Sequence, residues 1–239
     1  MLPQLAKILE KLQLKLYVHG LEIKNNQHAF AKGRTTVSAL ISIMQNWYVT
    51  DNSRHGGKGV HTMFLDFRKA FNLVDHKILL IKLAEMNISR AFCSWVKCFL
   101  TGRTQQINLH GVMSSIAPCP AGVPQGSINS PILFSIHIND LEDSIPDHLT
   151  INTNKYADDC TLDEVIEREL SSHVQESTNA IINRATENKM MINAKKTKDM
   201  WICFAQSSSE PPPVRVGDTE LERVKTFKLL GVWVQNDLK

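Results

Sequence analysis

The 239-residue sequence lacks the patterns that mark several common classes of protein. No apolar run is long enough to cross a membrane, and the first residues lack the basic stretch and continuous apolar core of a signal peptide. Neither Gly-x-x-x-x-Gly-Lys-Ser/Thr nor Gly-x-Gly-x-x-Gly occurs, which argues against P-loop and dinucleotide-binding folds. The apolar fraction of 43% is that of a globular chain, and the length suffices for one large domain or two lobes.

The five cysteines are odd in number and widely spread, and no Cys-x-x-Cys is present. None of the nine histidines pairs with a cysteine at the spacing of zinc ligands. This usage argues against a zinc site and predicts a reduced intracellular compartment, nuclear or cytoplasmic, in which the thiols act as small apolar residues.

The net charge of +3 is unevenly distributed. Residues 1–110 contain 15 Lys and Arg against 6 Asp and Glu, whereas residues 111–194 contain 4 against 12. One interpretation is a protein that binds a polyanion with its basic half and cations with its acidic middle. The other is that these charges only solvate helices.

Two adjacent acids, Asp158 and Asp159, lie at the tip of a predicted hairpin in the sequence Tyr-Ala-Asp-Asp, and a third acid, Asp66, follows the apolar run 60–65. Neighbouring carboxylates repel each other unless a cation offsets their charge. Two-metal phosphoryl transfer uses such a site, with divalent ions about 3.5–4 Å apart, and carboxylate oxygens favour Mg²⁺. The alternative is an ordinary solvated turn, where Asp is common.

Apolar periodicity predicts helices and strands in irregular alternation. Helices are predicted near residues 5–20, 37–48, 78–86, 91–100, 131–141 and 167–190. Strands are predicted at residues 60–67, 104–109 with 112–117, 149–156 with 160–165, 200–204 and 227–234, and loops at 51–59 and 207–213. This order predicts an α+β fold with an antiparallel sheet backed by helices, rather than a doubly wound parallel sheet.

Six segments, in one order across nearly the whole chain, resemble motifs of the reverse transcriptase of non-LTR (LINE-type) retrotransposons. They are QHAF and KGRTT (27–36), FLDFRKAF (64–71), GVPQGS with SPILF and INDL (122–141), YADD (156–159), MINAKKTK (191–198) and FKLLGV (227–232). The resemblance implies one right-hand polymerase domain over residues 1–239. Residues 1–59 and 77–120 would form mainly fingers, residues 60–76 and 121–239 would form mainly palm, and the thumb would be missing.

The resemblance also implies a role for individual residues. The alternative is a core position for Phe71, an ordinary turn position for Gln125, and a surface position for Lys32, Arg34 and Lys196. Asp66, Asp158 and the backbone carbonyl of Phe67 would bind two Mg²⁺ ions, with Mn²⁺ as a possible substitute. Asp159 would be a supporting carboxylate, and Lys196 would donate a proton to pyrophosphate. Leu230 and Gly231 would belong to the primer grip. The residues implied to contact the nucleotide are Phe67, Arg68, Phe71, Gln125, Lys32 and Arg34.

The function implied is RNA-directed DNA polymerase, with an RNA template, a DNA primer and deoxynucleotides as partners, and with no membrane. One alternative is a truncated, inactive remnant that binds nucleic acid weakly at most. Another is an RNA-dependent RNA polymerase or a group II intron-type enzyme, and the bulky Phe71 argues against the RNA polymerase.

Four positions depart from the family pattern, namely Ala31, Asn72, Ser130 and His137, where Arg, Asp, Gly and Tyr are frequent. None of them is a metal ligand. Because the chain stops just after the primer-grip motif, we expect intact site chemistry with weak processive activity.

Overall fold

The computed structural model describes residues 4–18, 21–51, 59–166, 171–203 and 210–238. The helices are α1 (Gln4–Tyr17), α2 (Thr36–Asp51), α3 (His76–Glu85), α4 (Arg90–Leu100), α5 (Ser130–His137) and α6 (Val174–Glu187). The strands are β1 (Gly59–Leu65), β2 (Thr104–Gln105), β3 (Asn108–Leu109), β4 (Val112–Met113), β5 (Ala117–Pro118), β6 (Ile151–Tyr156), β7 (Asp159–Ile166), β8 (Lys198–Cys203), β9 (Arg215–Val216), β10 (Thr219–Glu220), β11 (Glu222–Arg223), β12 (Thr226–Leu229) and β13 (Val232–Gln235). Within the described ranges, no helix combines the length and the apolar content that a membrane span requires.

The chain divides into two compact units. The first unit comprises Met1–Ile23 and Lys69–Ile138, and the second comprises Lys24–Arg68 and Asn139–Lys239. The division of the sequence into fingers and palm stays a prediction.

The first unit is built around α3, α4 and α5. Helix α3 begins where the carboxylate of Asp75 accepts hydrogen bonds from the N–H groups of Lys77 and Ile78, at 2.9 and 3.0 Å. This capping satisfies donors that the first helical turn leaves without partners. The predicted hairpin is confirmed, since β3 pairs with β4 around His110 and Gly111 and β2 pairs with β5.

The second unit contains a five-stranded sheet in the order β11-β8-β1-β7-β6. Every pair is antiparallel except β11 with β8. Strand β1 lies in the centre, with all seven residues buried. Val60 and Phe64 face Ile43 and Trp47 of α2, whereas Met63 faces α6. Helices therefore cover both faces of β1, which agrees with the burial of all its residues.

The hairpin β12–β13 extends this core. Leu229 and Val234 join the cluster around Trp47, and the ring of Phe227 stacks on that of Phe64 with centroids 4.0 Å apart. Stacking of this kind adds roughly 0.5–1.5 kcal/mol to simple apolar burial.

The predicted α+β class is confirmed, while two helix boundaries were predicted wrongly. Helix α5 ends at His137 rather than near 141, because Asn139 and Asp140 leave the helix and their side chains bind Lys24 and Arg184. Helix α6 begins at Val174, and Glu164 of β7 accepts hydrogen bonds from the residues just before it.

Residues 52–58 of the first predicted loop and 207–209 of the second lie outside the described residues, and residues 210–213 contain no helix or strand. The short hairpin β9–β10 was not predicted, because its strands have only two residues each.

Candidate active site

The pairing of β1 with β7 brings the three predicted acids together. Leu65, the last residue of β1, is paired with Cys160 of β7. Asp66 therefore leaves β1 beside the position where Asp159 enters β7, and Asp158 lies in the connecting turn. The turn is one residue shorter than its sequence suggests, because Asp159 is already paired with Tyr156.

The backbone around Asp66 is held on its other side by the segment before β8. The N–H of Asn193 donates to the carbonyl of Asp66, and the N–H of Arg68 donates to the carbonyl of Met191, both at 2.8 Å. These two hydrogen bonds flank Phe67, so the N–H and carbonyl of Phe67 point away from the segment before β8. The carbonyl of Phe67 is thus directed to the side of β1 on which β7 and the acidic turn lie.

Electrostatic strain accompanies this arrangement. Burial raises the pKa of the Asp158 carboxyl above its usual value, the charge of Asp66 raises it further, and Lys196 lowers it. Burial also raises the pKa of Asp159, and the charges of Asp158 and Asp66 add to that effect. The acids therefore lie close enough to repel one another through a medium less polar than water.

This donor set fits a divalent cation. A cation would remove the repulsion between Asp66 and Asp158, and the carbonyl of Phe67 could add a third oxygen. Among the residues that the structure describes, no three His, Cys, Asp or Glu side chains converge to hold a metal unaided. Such a site would take its remaining ligands from water or from substrate phosphates, as Mg²⁺ sites in phosphoryl-transfer enzymes do.

Lys196 lies in a turn beside the acids. Its N–H donates to the carbonyl of Asn193 at 3.0 Å, and its charge acts on Asp158. Thr197, which is fully buried, accepts a hydrogen bond from the N–H of Asp66 at 3.2 Å. The MINAKKTK segment (191–198) is thus bonded to the acidic site through Thr197, the neighbour of Lys196.

The predicted primer-grip residues lie on the same face of the sheet as Asp159. Leu230 and Gly231 form the turn between β12 and β13. A small cavity is lined by Asp159, Thr161 and Leu230, among others. The acidic turn and the predicted primer grip therefore border the same space.

Two predicted nucleotide-contacting residues lie in the first unit. Phe71 belongs to a short 3₁₀ helix (Ala70–Asn72), and its ring stacks on that of Phe134 with centroids 4.2 Å apart. The carbonyl of Phe71 accepts a hydrogen bond from the N–H of Val123 at 2.9 Å, which ties the 122–127 loop to the 3₁₀ helix. Gln125 is exposed at the tip of this loop.

Three further predicted nucleotide-contacting residues lie in the second unit. Lys32 is exposed. Arg34 donates hydrogen bonds to the carbonyl of Gln27 at 2.9 Å and to the side chain of Asn25 at 2.8 Å, so it has a structural role as well. Arg68 lines an open cavity of about 360 Å³ with Lys189 and the end of α6. Their contacts with the nucleotide stay predictions.

Two residues escaped the sequence analysis. Glu10 of α1 is buried, and one of its oxygens accepts hydrogen bonds from the hydroxyl of Ser127 at 2.5 Å and from two N–H groups, those of Ile128 at 2.7 Å and Asn129 at 3.0 Å. The side-chain oxygen of Gln27 accepts a hydrogen bond from the N–H of Ala157 in the acidic turn at 3.2 Å. For Glu10, the available signal was an acid within an otherwise apolar and basic helix. For Gln27, the only signal was its place in the QHAF segment (27–30).

Comparison with known proteins agrees with this geometry. A family described as "Reverse transcriptase (RNA-dependent DNA polymerase)" matches residues 1–234, and this family generally uses divalent metal ions. The chain is 26% identical to a probable RNA-directed DNA polymerase from transposon X-element of Drosophila melanogaster, matching 100% of this chain and 26% of that protein. It is 28% identical to the RNA-directed DNA polymerase from mobile element jockey of the same organism, again over 100% of this chain and 26% of the relative. The chain thus spans about a quarter of these relatives.

Solved structures show the same fold. A structure of apo telomerase from Candida tropicalis superposes with a TM-score of 0.62 at 12% identity, over 98% of this chain and 44% of that chain. Telomerase from Candida albicans, in complex with a fragment of telomeric RNA, superposes with a TM-score of 0.58 at 12% identity, over 98% of this chain and 36% of that chain. The predicted polymerase fold is confirmed.

Proposed function

Because the chain belongs to the reverse transcriptase (RNA-dependent DNA polymerase) family, we propose that it catalyses RNA-directed DNA synthesis at the site of Asp66, Asp158 and Asp159. The observation that carries the proposal is the β1–β7 register, which places Asp66 beside the acidic turn. The proposed reaction is attack of a primer 3′-hydroxyl on the α-phosphate of a deoxynucleotide, with release of pyrophosphate. RNA template and DNA primer are the proposed partners.

Asp66, Asp158 and the carbonyl of Phe67 would hold two Mg²⁺ ions, with Mn²⁺ as a substitute. When bound, such ions neutralise charge on the transferred phosphate and lower the pKa of the attacking hydroxyl. Asp159, which borders the cavity beside the β12–β13 turn, would support the site from the primer side. Charge repulsion between Asp66 and Asp158 supports this assignment.

Lys196 is proposed to donate a proton to the leaving pyrophosphate, since an ammonium beside the acids can act as a general acid. Arg68, Lys32 and Arg34 are proposed to bind the triphosphate, because guanidinium and ammonium groups are strong donors to phosphate oxygens. Phe71 would exclude a 2′-hydroxyl, and Gln125 would contact the nucleotide or the template.

The retroelement relatives support a proposed origin in a non-LTR retrotransposon. The five cysteines are all free thiols, which supports a reduced intracellular compartment.

The test is single-nucleotide incorporation on poly(rA)/oligo(dT) with Mg²⁺ and excess protein, because one addition does not require processive binding. Asp158→Asn should reduce the rate by at least about 100-fold, since it removes charge from the metal site. The matched control is Asp218→Asn, which changes an exposed acid in the turn between β9 and β10.

Thermal unfolding supplies a second readout. Without metal, Asp158→Asn should unfold at a higher temperature than the wild type, because it relieves the repulsion with Asp66. Mg²⁺ should stabilise the wild type and leave the variant unchanged. If the wild type incorporates no nucleotide with Mg²⁺ or Mn²⁺, the chain is an inactive remnant and the proposal is wrong.

A further inference from the structure

Gln27 lies outside the acidic site, yet its side chain is bonded to the acidic turn. It is 1% exposed and belongs to a segment that extends the sheet beyond β6. The N–H of His28 donates to the carbonyl of Lys155 at 2.8 Å, and the N–H of Lys155 donates to the carbonyl of Asn26 at 2.7 Å. This places Gln27 next to the last residues of β6, where the strand enters the turn.

The acidic turn has a conformation that needs support. Ala157 adopts a left-handed φ of 57°, which a residue with a Cβ occupies at a cost. In the two-residue connection between the paired Tyr156 and Asp159, the ladder makes no use of the N–H of Ala157. Ala157 is 8% exposed, so this N–H must find an acceptor within the protein.

Gln27 supplies that acceptor. Its Oε1 accepts from the N–H of Ala157 at 3.2 Å and from the N–H of Ala29 at 2.9 Å. The two backbone donors also determine which end of the amide faces the turn, since a side-chain NH₂ could not accept from them. Arg34 also fixes the main chain of Gln27, because its guanidinium donates a hydrogen bond to the Gln27 carbonyl at 2.9 Å.

We propose that Gln27 is a positioning residue that holds Ala157, and with it Asp158, in the geometry that binds metal. The proposal rests on the proposed function of the acidic site, but the hydrogen bond to Ala157 can be tested without activity. Loss of the acceptor would let the turn relax to a conformation with negative φ, and Asp158 would then move relative to Asp66.

The direct measurement is hydrogen exchange of the Ala157 amide in the full chain. Gln27→Met keeps the length of the side chain but removes the acceptor, so the Ala157 amide should exchange at least about tenfold faster. Gln27→Glu keeps a side-chain oxygen, so it should retain the wild-type protection. The control is Thr101→Ala, which removes only the hydrogen bond from an exposed hydroxyl to the carbonyl of Lys97 at the end of α4.

The second measurement is binding of Mn²⁺, detected as a decrease in the electron paramagnetic resonance signal of the unbound ion. Gln27→Met should weaken binding about three- to tenfold, and Thr101→Ala should leave it unchanged. If single-nucleotide incorporation is observed, Gln27→Met should lower kcat and raise the metal concentration for half-maximal rate, with KM for the primer–template unchanged.

Unchanged protection of Ala157 in Gln27→Met would overturn the proposal, whatever the wild type catalyses. If Gln27→Met does not fold, the glutamate variant decides: protection lost in Gln27→Glu would overturn the proposal equally. The wild type could instead lack polymerase activity while Gln27→Met shows fast exchange of Ala157 and weak Mn²⁺ binding. This combination would support the positioning role and contradict the proposed function.

Discussion

Substituting alanine for Gly122 should destabilise the first unit far more than the same change at Gly126. Both glycines lie in the GVPQG loop and both have left-handed φ values, 87° and 81°. At either position, the left-handed φ raises the free energy of the folded alanine variant by about 1–2 kcal/mol. This cost is partly offset, by about 0.4–1 kcal/mol, because alanine has less conformational freedom than glycine in the unfolded chain. From backbone conformation alone, the two substitutions should therefore cost nearly the same.

Their surroundings differ. A Cβ at Gly122 would lie 2.6 Å from the carbonyl oxygen of Asn72 and 2.9 Å from its carbonyl carbon, whereas a Cβ at Gly126 would meet no atom within 4 Å. The obstacle at Gly122 is backbone, and the N–H of Gly122 also donates to the carbonyl of Val74 at 2.8 Å. Overlap of this kind typically costs a further 1–3 kcal/mol. We expect Gly122→Ala to lose about 2–4 kcal/mol and Gly126→Ala about 1 kcal/mol or less.

Urea denaturation followed by far-ultraviolet circular dichroism measures both losses, provided that the slopes with denaturant agree between the variants. Gly126→Ala is the matched control, because it isolates the penalty for φ. Equal losses at Gly122 and Gly126 would refute the reasoning, since the contact with Asn72 would then contribute nothing.

Three further predictions concern buried or stacked side chains. Burial raises the pKa of Asp163 to about 7, so between pH 4 and 7 the folded chain keeps a proton that the unfolded chain has lost, and the free energy of unfolding should fall as pH rises through this range. Urea titrations should show a flatter pH profile for Asp163→Asn than for the wild type, and parallel profiles would contradict this prediction. Phe71→Ala should raise the ratio of ribonucleotide to deoxynucleotide incorporation, and an unchanged ratio would show that Phe71 is only a core residue. Because the variant loses the stack on Phe134, its free energy of unfolding should also fall by about 1–3 kcal/mol. Cys160 is buried, with a pKa of about 12, so iodoacetamide should modify the exposed Cys98 first, as peptide mass spectrometry of the native chain can check.

Much of the local structure could be predicted from the sequence. The largely apolar run before Asp66 predicted a buried strand, and the spacing around His110 and Gly111 predicted a hairpin. These signals are local, because the period of apolar residues and the turn residues act within a few positions. The ends of α5 and α6 could not be predicted, because contacts with distant side chains such as Lys24 and Glu164 determine them.

The order of the six motifs in the sequence indicated the family, and the residue types at Asp66, Asp158 and Asp159 predicted a centre for hard cations. Only the tertiary structure decided how these acids meet, through the register that pairs Leu65 with Cys160, and which residue supports their turn. Gln27 lies 130 positions from Ala157 in the chain, and no local pattern encodes a hydrogen bond between them. Residue identity is a property of each position, whereas register and long-range hydrogen bonds arise only when the whole sheet has formed.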